Sequence, residues 1–525
     1  MIPEYMFEHA PALIIAIPLL GAFCTPLISR LGGRVRNSFV LAVLILTGLF
    51  ITLLSYDVLS NGARIYIFGA KDLSLPVVRI LFEVDALSVL MGIITFILAL
   101  SSAVYSWSFM KKEETGLDKF YTLMLLLVTS TLGMEFTGDL FNFFVFLEIT
   151  CISSCALIAF MVYKDKALEA GFKYIVLSSI GALFILFAIG LLYGQYNALN
   201  IATLAKLLEF SFLDKIALVL FIIVLAMKAG LAPMHMWLPD AYGESSSSVT
   251  LVIMGATQAS VYGILRVCFT LYGSVFQGST MSLSVNSLAW VLIGLSILSI
   301  FTGVIMALIQ SDLNRLIGYT AVAEVGYILL GVSTSVAAKG EPYGLTALKG
   351  GVFHMFNDVL DIGLLFLVAG AVFYATDERS LDKLGGLARS MRYTTMFFII
   401  GLLAVSGMPP LNGFASKLLI YESTYRLNPL LSIIAILCSI LMLAVFVKVF
   451  YSVFLGAGKN NSNHLKNVKE APVSMLIGMG VLTVFIIISA LFPDVIIKNL
   501  VEPAANSLIS YNDYINHVLN IGGAL

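Results

Sequence analysis

Charged side chains are scarce in this chain. Asp, Glu, Lys and Arg make up 12% of its 525 residues, about half the share of roughly 25% usual in soluble domains. Apolar residues reach 59%, and the mean hydropathy is +0.99. A water-soluble globular core is thereby excluded. Cysteine is also sparse, at five residues with no CxxC pair, so neither an iron–sulfur nor a zinc site is expected. Cys24, Cys151, Cys155, Cys268 and Cys438 all fall in apolar stretches and read as small packing residues. No glycine-rich nucleotide fingerprint is present, and no basic run points to nucleic acid. No cofactor and no catalytic residue are therefore expected. The opening MIPEYMFEHAPALII carries Glu4 and Glu8 in place of a positive leader, which argues against a cleaved signal peptide.

Long apolar runs are what the sequence has instead. A bilayer-spanning helix needs about 20 mostly apolar residues. The pattern predicts an all-α, multi-pass protein of the cell membrane. Helices are expected near 11–29, 37–55, 84–109, 119–134, 139–163, 168–192, 213–242, 247–273, 285–307, 313–333, 346–375, 393–424, 430–456 and 472–493. Cytoplasmic loops collect Lys and Arg. With the N-terminus outside, seventeen of these residues fall in inner loops and nine in outer segments, which supports fourteen spans. Residues 56–83 form the longest early loop, where IYIFGA and LPVVRILFEV read as a strand hairpin on the outer face. The tail from about 494 is polar and is expected to be broken at Pro503.

Two spans are interrupted alike. One reads MKAGLAPMHMWLPDAYG, with Pro233 and Pro239; the other reads SGMPPLNGFASKLLIYES, with Pro409 and Pro410. Proline removes a backbone donor and opens a helix. Irregular backbone at membrane depth survives only inside protein or along a watery cavity. A matched pair of broken helices points to inverted repeats. The expected division is 1–118, then repeats at 119–273 and 285–456, then 472–525 with the last helix and tail.

Ionisable groups deep in a bilayer are costly and rare, so each is a functional candidate. Glu148 lies mid-span in FNFFVFLEITCISSCALIAF, and Lys228 stands at the first break. The two are expected to form a switchable pair, the plain alternative being a static ion pair or a snorkelling lysine. In GGVFHMFNDVLDIGLLF, His354, Asp358 and Asp361 fall at i, i+4 and i+7 on one helical face, flanked by Asn357. Histidine exchanges protons near neutrality, so this stripe reads as a relay. Its alternative is a polar face for a partner subunit. Glu324 is placed on the same stripe, and Lys417 follows the second break. His235, beside Trp237, is a candidate to line the first. Asp85 reads as interfacial and Arg266 as ambiguous.

At these residues the chain resembles the antiporter-like subunits shared by respiratory complex I, Mrp cation/proton antiporters and membrane-bound hydrogenases. The resemblance runs from about Asp85 to Lys448. It is carried by FNFFVFLE, KAGLAPMHMWLPDA, SDLNRLIGYTAVAEVGY, HMFNDVLDIGLLF and GMPPLNGFASK. It implies a fourteen-helix core of inverted five-helix repeats, with a central hydrophilic axis for protons. It also implies membrane partner subunits in a larger assembly. By match, Glu148 is the helix-5 glutamate that pairs with the helix-7 lysine, Lys228, and Lys417 is the helix-12 residue of the exit half-channel. The short tail favours the D-type Mrp protein and its hydrogenase counterpart.

The chain departs from the family pattern at several points. Gln258 stands for a helix-8 lysine, Asp358 for a histidine, Ile362 for a lysine, Glu324 for a Gln or His, and Ser245-Ser246 for Ala-Pro. The relay is thus poorer in bases and richer in acids. Carboxylates suit small hard cations, so sodium coupling fits, as does a subunit reduced to a membrane anchor. A redox or quinone enzyme has no motif to support it.

Overall fold

A computed structural model describes residues 4–68, 80–112, 116–277, 283–338, 340–456 and 468–521. Among them, twelve helices are long and apolar enough to cross a membrane. They include α1 (Glu4–Ser29), α2 (Gly33–Asn61), α3 (Ala86–Phe109), α4 (Leu117–Phe136), α5 (Leu140–Ile158) and α6 (Asp165–Tyr196). A short α7 (Ile201–Leu207), not expected from hydropathy, follows. The first broken crossing is α8 (Phe212–Lys228), a 3-10 turn at Met234–Trp237 and α9 (Leu238–Glu244). Then come α10 (Ser247–Leu265), the short α11 (Gly273–Gln277), α12 (Leu283–Ile309), α13 (Leu313–Ala337) and α14 (Pro342–Thr376). The second broken crossing is α15 (Arg392–Val405) plus α16 (Asn412–Leu427). The last two spans are α17 (Pro429–Phe450) and α18 (Val473–Leu491). Twelve continuous and two broken crossings give the fourteen that hydropathy and loop charge predict.

The hairpin is present as β1 (Arg64–Phe68) paired antiparallel with β2 (Ile80–Val84), Arg64 opposite Val84. The expected strand residues at 69–79 lie outside the described residues. Arg64 ties the hairpin to α2 through an ion pair with buried Asp57. The tail differs from expectation. It folds as α19 (Pro493–Ile496), a π turn at Ile497–Val501, α20 (Glu502–Ile509) and α21 (Tyr511–Ile521). Pro503 falls where the π turn passes into α20, and the helical run continues through it instead of breaking there.

The two halves repeat local detail. Asp139 caps α5 by accepting from Asn142 N at 2.8 Å, and Asp312 caps α13 by accepting from Arg315 N at 3.0 Å. Leu140 N donates to Leu199 O and Ile201 N to Gly138 O; Leu313 N donates to Arg379 O and Leu381 N to Ser311 O. Each break carries a glycine of positive φ, Gly230 at +77° and Gly407 at +67°. Such a match of caps, short bridges and breaks is what duplicated units would leave.

Side chains of α10 and α13 are buried throughout their apolar windows, so these helices form the centre. Without a hydrophobic drive between helices in lipid, close approach of small residues holds them. A Cβ on Gly331 would stand 2.9 Å from the Gly351 backbone of α14, and one on Gly318 would stand 2.9 Å from Pro239 Cα. Outward faces keep large apolar groups exposed, such as Phe172, Phe184 and Phe187 of α6.

Candidate functional site: a buried polar axis

Breaking a helix frees backbone groups that need partners. At the first break, Trp237 Nε1 donates to Met227 O at 2.8 Å, and Ala232 N donates to Ser299 Oγ of α12 at 2.8 Å. At the second, the freed Val405 carbonyl accepts from Lys417 Nζ at 2.7 Å. Cations are favoured at a helix C-terminus, so the end of α15 helps to hold this ammonium. Lys417 also donates to Glu324 Oε1 of α13 at 2.8 Å and lies over the Tyr327 ring at 4.4 Å. Both charged groups are only 1% exposed.

Glu324 is shared. Its Oε2 stands 2.9 Å from His354 Nε2 of α14. His354 Nδ1 lies 3.0 Å from Ser416 Oγ of α16. Asn357 Nδ2 donates to that same hydroxyl at 3.0 Å and to Asn412 O at 3.1 Å. Asn412 Nδ2 in turn donates to Asp361 Oδ1 at 3.0 Å. A string of close polar contacts thus joins Lys417, Glu324, His354, Ser416, Asn357, Asn412 and Asp361, with Glu324 and His354 meeting at ion-pair distance without hydrogen-bond geometry and Asn412 linking through both its backbone carbonyl and its side-chain amide. Beside it, Gln258 Nε2 of α10 donates to Asp358 Oδ2 at 2.6 Å. The outer oxygens of Gln258, Asn357, Asp358 and Asn412 are buried and take no hydrogen bond.

Gly407 stands directly under this arrangement. A Cβ there would sit 3.0 Å from Lys417 Cδ, in a left-handed backbone conformation. The conformation alone costs an L residue about 1–2 kcal/mol. Gly407→Ala is expected to lower the melting temperature of the solubilised protein and to reduce ion movement with it. An unchanged melting curve would show that Lys417 has room to retreat.

A model of the NADH:quinone oxidoreductase/Mrp antiporter transmembrane family matches residues 137–443, more than half of the chain. This chain belongs to that family. It is 32% identical over 520 residues to the N-type subunit of the NADH-quinone oxidoreductase of Desulforudis audaxviator, covering 95% of this chain and 99% of that one. It is 29% identical over 433 residues to the D-type protein of the Na(+)/H(+) antiporter of Alkalihalophilus pseudofirmus, covering 81% and 83%. Among solved structures, a chain of the archaeal membrane-bound sulfane sulfur reductase superposes with a TM-score of 0.82 at 27% identity, covering 97% and 99%. All nine candidate residues lie within the family match.

Seven of the nine candidates in this antiporter-family chain lie on the axis or beside it: Gln258, Glu324, His354, Asp358, Asp361, Lys417 and, one step away, Lys228. Lys228 is buried, and an enclosed space of about 10 Å³ between it, Trp237 and Thr257 has room for one water. Thr257 reaches the Tyr242 hydroxyl at 2.7 Å.

One expectation is corrected. Glu148 does not pair with Lys228; Lys228 Nζ donates to Cys151 Sγ at 2.7 Å instead. Cys151 and Glu148 differ by roughly 60° around α5 at 3.6 residues per turn. That turns Glu148 toward the face shared by the exposed Phe141, Val145 and Ile152, where it is half-buried. His235 lies in the turn of the first break, buried and apart from the string. Its Nδ1 takes no hydrogen bond, and its ring meets the Tyr319 ring edge-on at 6.2 Å.

Sequence reasoning missed three buried groups. Arg266 forms a buried ion pair with Asp85 at the end of α3, both side chains 6% exposed. Glu83 is 1% exposed, and Glu135 is fully buried, accepting from Thr95 Oγ1 at 2.8 Å. A signal existed for two of them. Gln258, Tyr262 and Arg266 fall at i, i+4 and i+8 on one face of the helix, and Glu135 sits in the apolar run LGMEF.

Proposed function

We propose that this chain moves protons, or sodium against protons, across the membrane as a non-catalytic subunit of a larger assembly. The observation that carries the reading is the buried string from Lys417 to Asp361, in which every contact is 3.1 Å or less. Charge kept away from water needs such partners. The relatives' names support a transport role, since they belong to a quinone oxidoreductase and to a Na(+)/H(+) antiporter. The five-helix units are proposed to be 119–273 and 285–456, flanked by 1–118 and 472–525. The driving partner is proposed to be a redox module of hydrogenase or NADH dehydrogenase type, or an ion gradient.

His354, between Glu324 and Ser416, is the group suited to accept and release a proton at each ring nitrogen. Lys228 serves the other side through the small space beside Thr257 and the Tyr242 hydroxyl. Gln258 cannot carry a proton as an ammonium does, so it is a positioning residue for Asp358. The two buried carboxyls of α14, Asp358 and Asp361, favour a second reading, transit of a small hard cation.

Proton and sodium movement by the intact assembly in inverted vesicles tests the proposal. Gln258→Leu removes the donor to Asp358 and is expected to slow transport several-fold, whereas Gln258→Lys, which restores a cation there, is expected to sustain it. Equal flux for Gln, Leu and Lys at this position would take Asp358 off the path. No ion movement by the wild-type assembly would favour the anchor reading.

A further inference from the structure

The string described above leaves a second group of buried charges without a task. It lies at the face that loop charge assigns to the outside. Arg266 closes α10, where the helix passes into a π turn over Arg266–Leu271, a deformation that recurs at functional sites. Its guanidinium pairs with Asp85, the N-cap of α3, and Nε donates to Tyr262 OH at 2.9 Å. The Tyr262 hydroxyl is 3.2 Å from Ser88 Oγ, which also accepts from Arg266 at 3.2 Å. The Tyr262 and Tyr514 rings each lie 5.1 Å from the guanidinium carbon.

Glu83 shares this place. Residues 83 and 85 project to the same side of an extended strand, so both carboxyls look into one space. The Tyr514 hydroxyl is the donor beside Glu83 and Ser507 the one beside the outer oxygen of Asp85, neither at full hydrogen-bond geometry, and Arg266 Nη1 is left over. Tyr514 of α21 covers the group from outside. Past it, a cavity of about 360 Å³ reaches Asp85 from the surface, with Ser507, Asp513 and His517 at its wall. Inward, Tyr262 and Gln258 continue along the same buried face of α10 to Asp358.

We propose that Glu83, Asp85 and Arg266 form an outer proton-exchange gate, in which the guanidinium moves between two carboxyls beneath the C-terminal helices. The inference rests on the transport reading and adds an outer exchange site to it. The step conserves charge and atoms. The Glu83 O–H bond breaks, an O–H bond forms on Asp85, and the guanidinium passes from Asp85 to the new Glu83 carboxylate. Asp85 then yields its proton to water in the cavity, Glu83 takes up the next transported proton arriving from the inner side past the Tyr262 hydroxyl, and the guanidinium returns to Asp85, which restores the starting state. Before and after the hop, the triad holds one guanidinium, one carboxylate and one carboxyl. Burial opposes charge on both acids. At Glu83 it prevails and holds the proton well above the usual carboxylate range. At Asp85 burial is outweighed by the Arg266 charge, which keeps that carboxyl below its usual range. In the proposed gate Glu83 is thus the proton holder and Asp85 the counter-ion of Arg266, with Tyr262, Tyr514, Asp513 and His517 as the other titratable neighbours.

Glu83→Gln tests this in the full assembly, because glutamine mimics the neutral carboxyl and preserves packing while removing the labile proton. Ion movement in vesicles is expected to fall at least tenfold with assembly retained, and Glu83→Asp is expected to restore part of it. Wild-type flux in assembled Glu83→Gln, beside a dead Lys228→Ala control, overturns the gate and leaves the transport reading standing. Wild-type flux in both overturns the two together. Should Glu83→Gln fail to assemble, Ser510→Cys at the cavity mouth decides. A bulky, membrane-impermeant thiol reagent added from outside is expected to block flux in that variant and not in the unsubstituted protein, whose native cysteines serve as the control. Unblocked flux after complete labelling overturns the gate.

Discussion

Glu324→Gln is expected to abolish ion movement and to destabilise the protein as well. The carboxylate holds Lys417 on one oxygen and faces His354 with the other, all three nearly free of exposure. Its neutral amide leaves the buried ammonium without a counter-charge, facing only neutral acceptors such as the Val405 carbonyl and the Tyr327 ring. Removing one partner of a buried pair costs about 3–5 kcal/mol. The variant should therefore melt earlier and accumulate poorly, and what does assemble should show background flux. Glu324→Asp keeps the charge but shortens the reach. It is expected to recover stability before it recovers transport. Normal melting and normal flux in Glu324→Gln would mean that the string from Lys417 to Asp361 carries nothing.

Lys228→Ala should separate the two effects. Lys228 meets a thiol and a small cavity, not a carboxylate, so its loss leaves no orphaned charge. The cost should stay near the 1–2 kcal/mol of an ordinary buried truncation. Assembly and any redox activity of the partner are expected to persist while proton and sodium uptake cease. Retained uptake would refute the part given to Lys228. Because Glu148 lies a partial turn away on a half-exposed face, Glu148→Gln should leave the stability of the isolated chain unaltered. Its effect on transport then reports on what meets that face in the assembly.

Much of this was legible before any coordinates. Apolar run length yields the fourteen crossings, because each bilayer passage needs the same length of helix. Proline pairs mark both breaks, since Pro233 and Pro410 cannot continue a helix. The stripe of His354, Asp358 and Asp361 follows from helical period alone. What stayed hidden depends on tertiary placement. Asp85 and Arg266 stand 181 positions apart, and no local pattern reports such a partner. The rotation of α5 put Cys151 rather than Glu148 against Lys228, a difference of less than one turn that hydropathy does not resolve. Pro503 read as a breaker because its place where the π turn passes into α20 was unknown.

The tight seating of α13 limits where motion can occur. Its glycines let backbone lie on backbone against α14 and the Pro239 corner of α9, and nearly all of its side chains are shielded. A rod clamped in this way behaves as a stator, since turning or sliding it would drive main chain into main chain. Glu324 is bolted to that rod. On the proposed path, the working stroke would then belong to the groups around Glu324: the Lys417 stem beside Gly407, the His354 ring, and water in the gaps. Such a cycle would be one of side chains swinging about a fixed carboxylate, over ångströms rather than over the length of a helix.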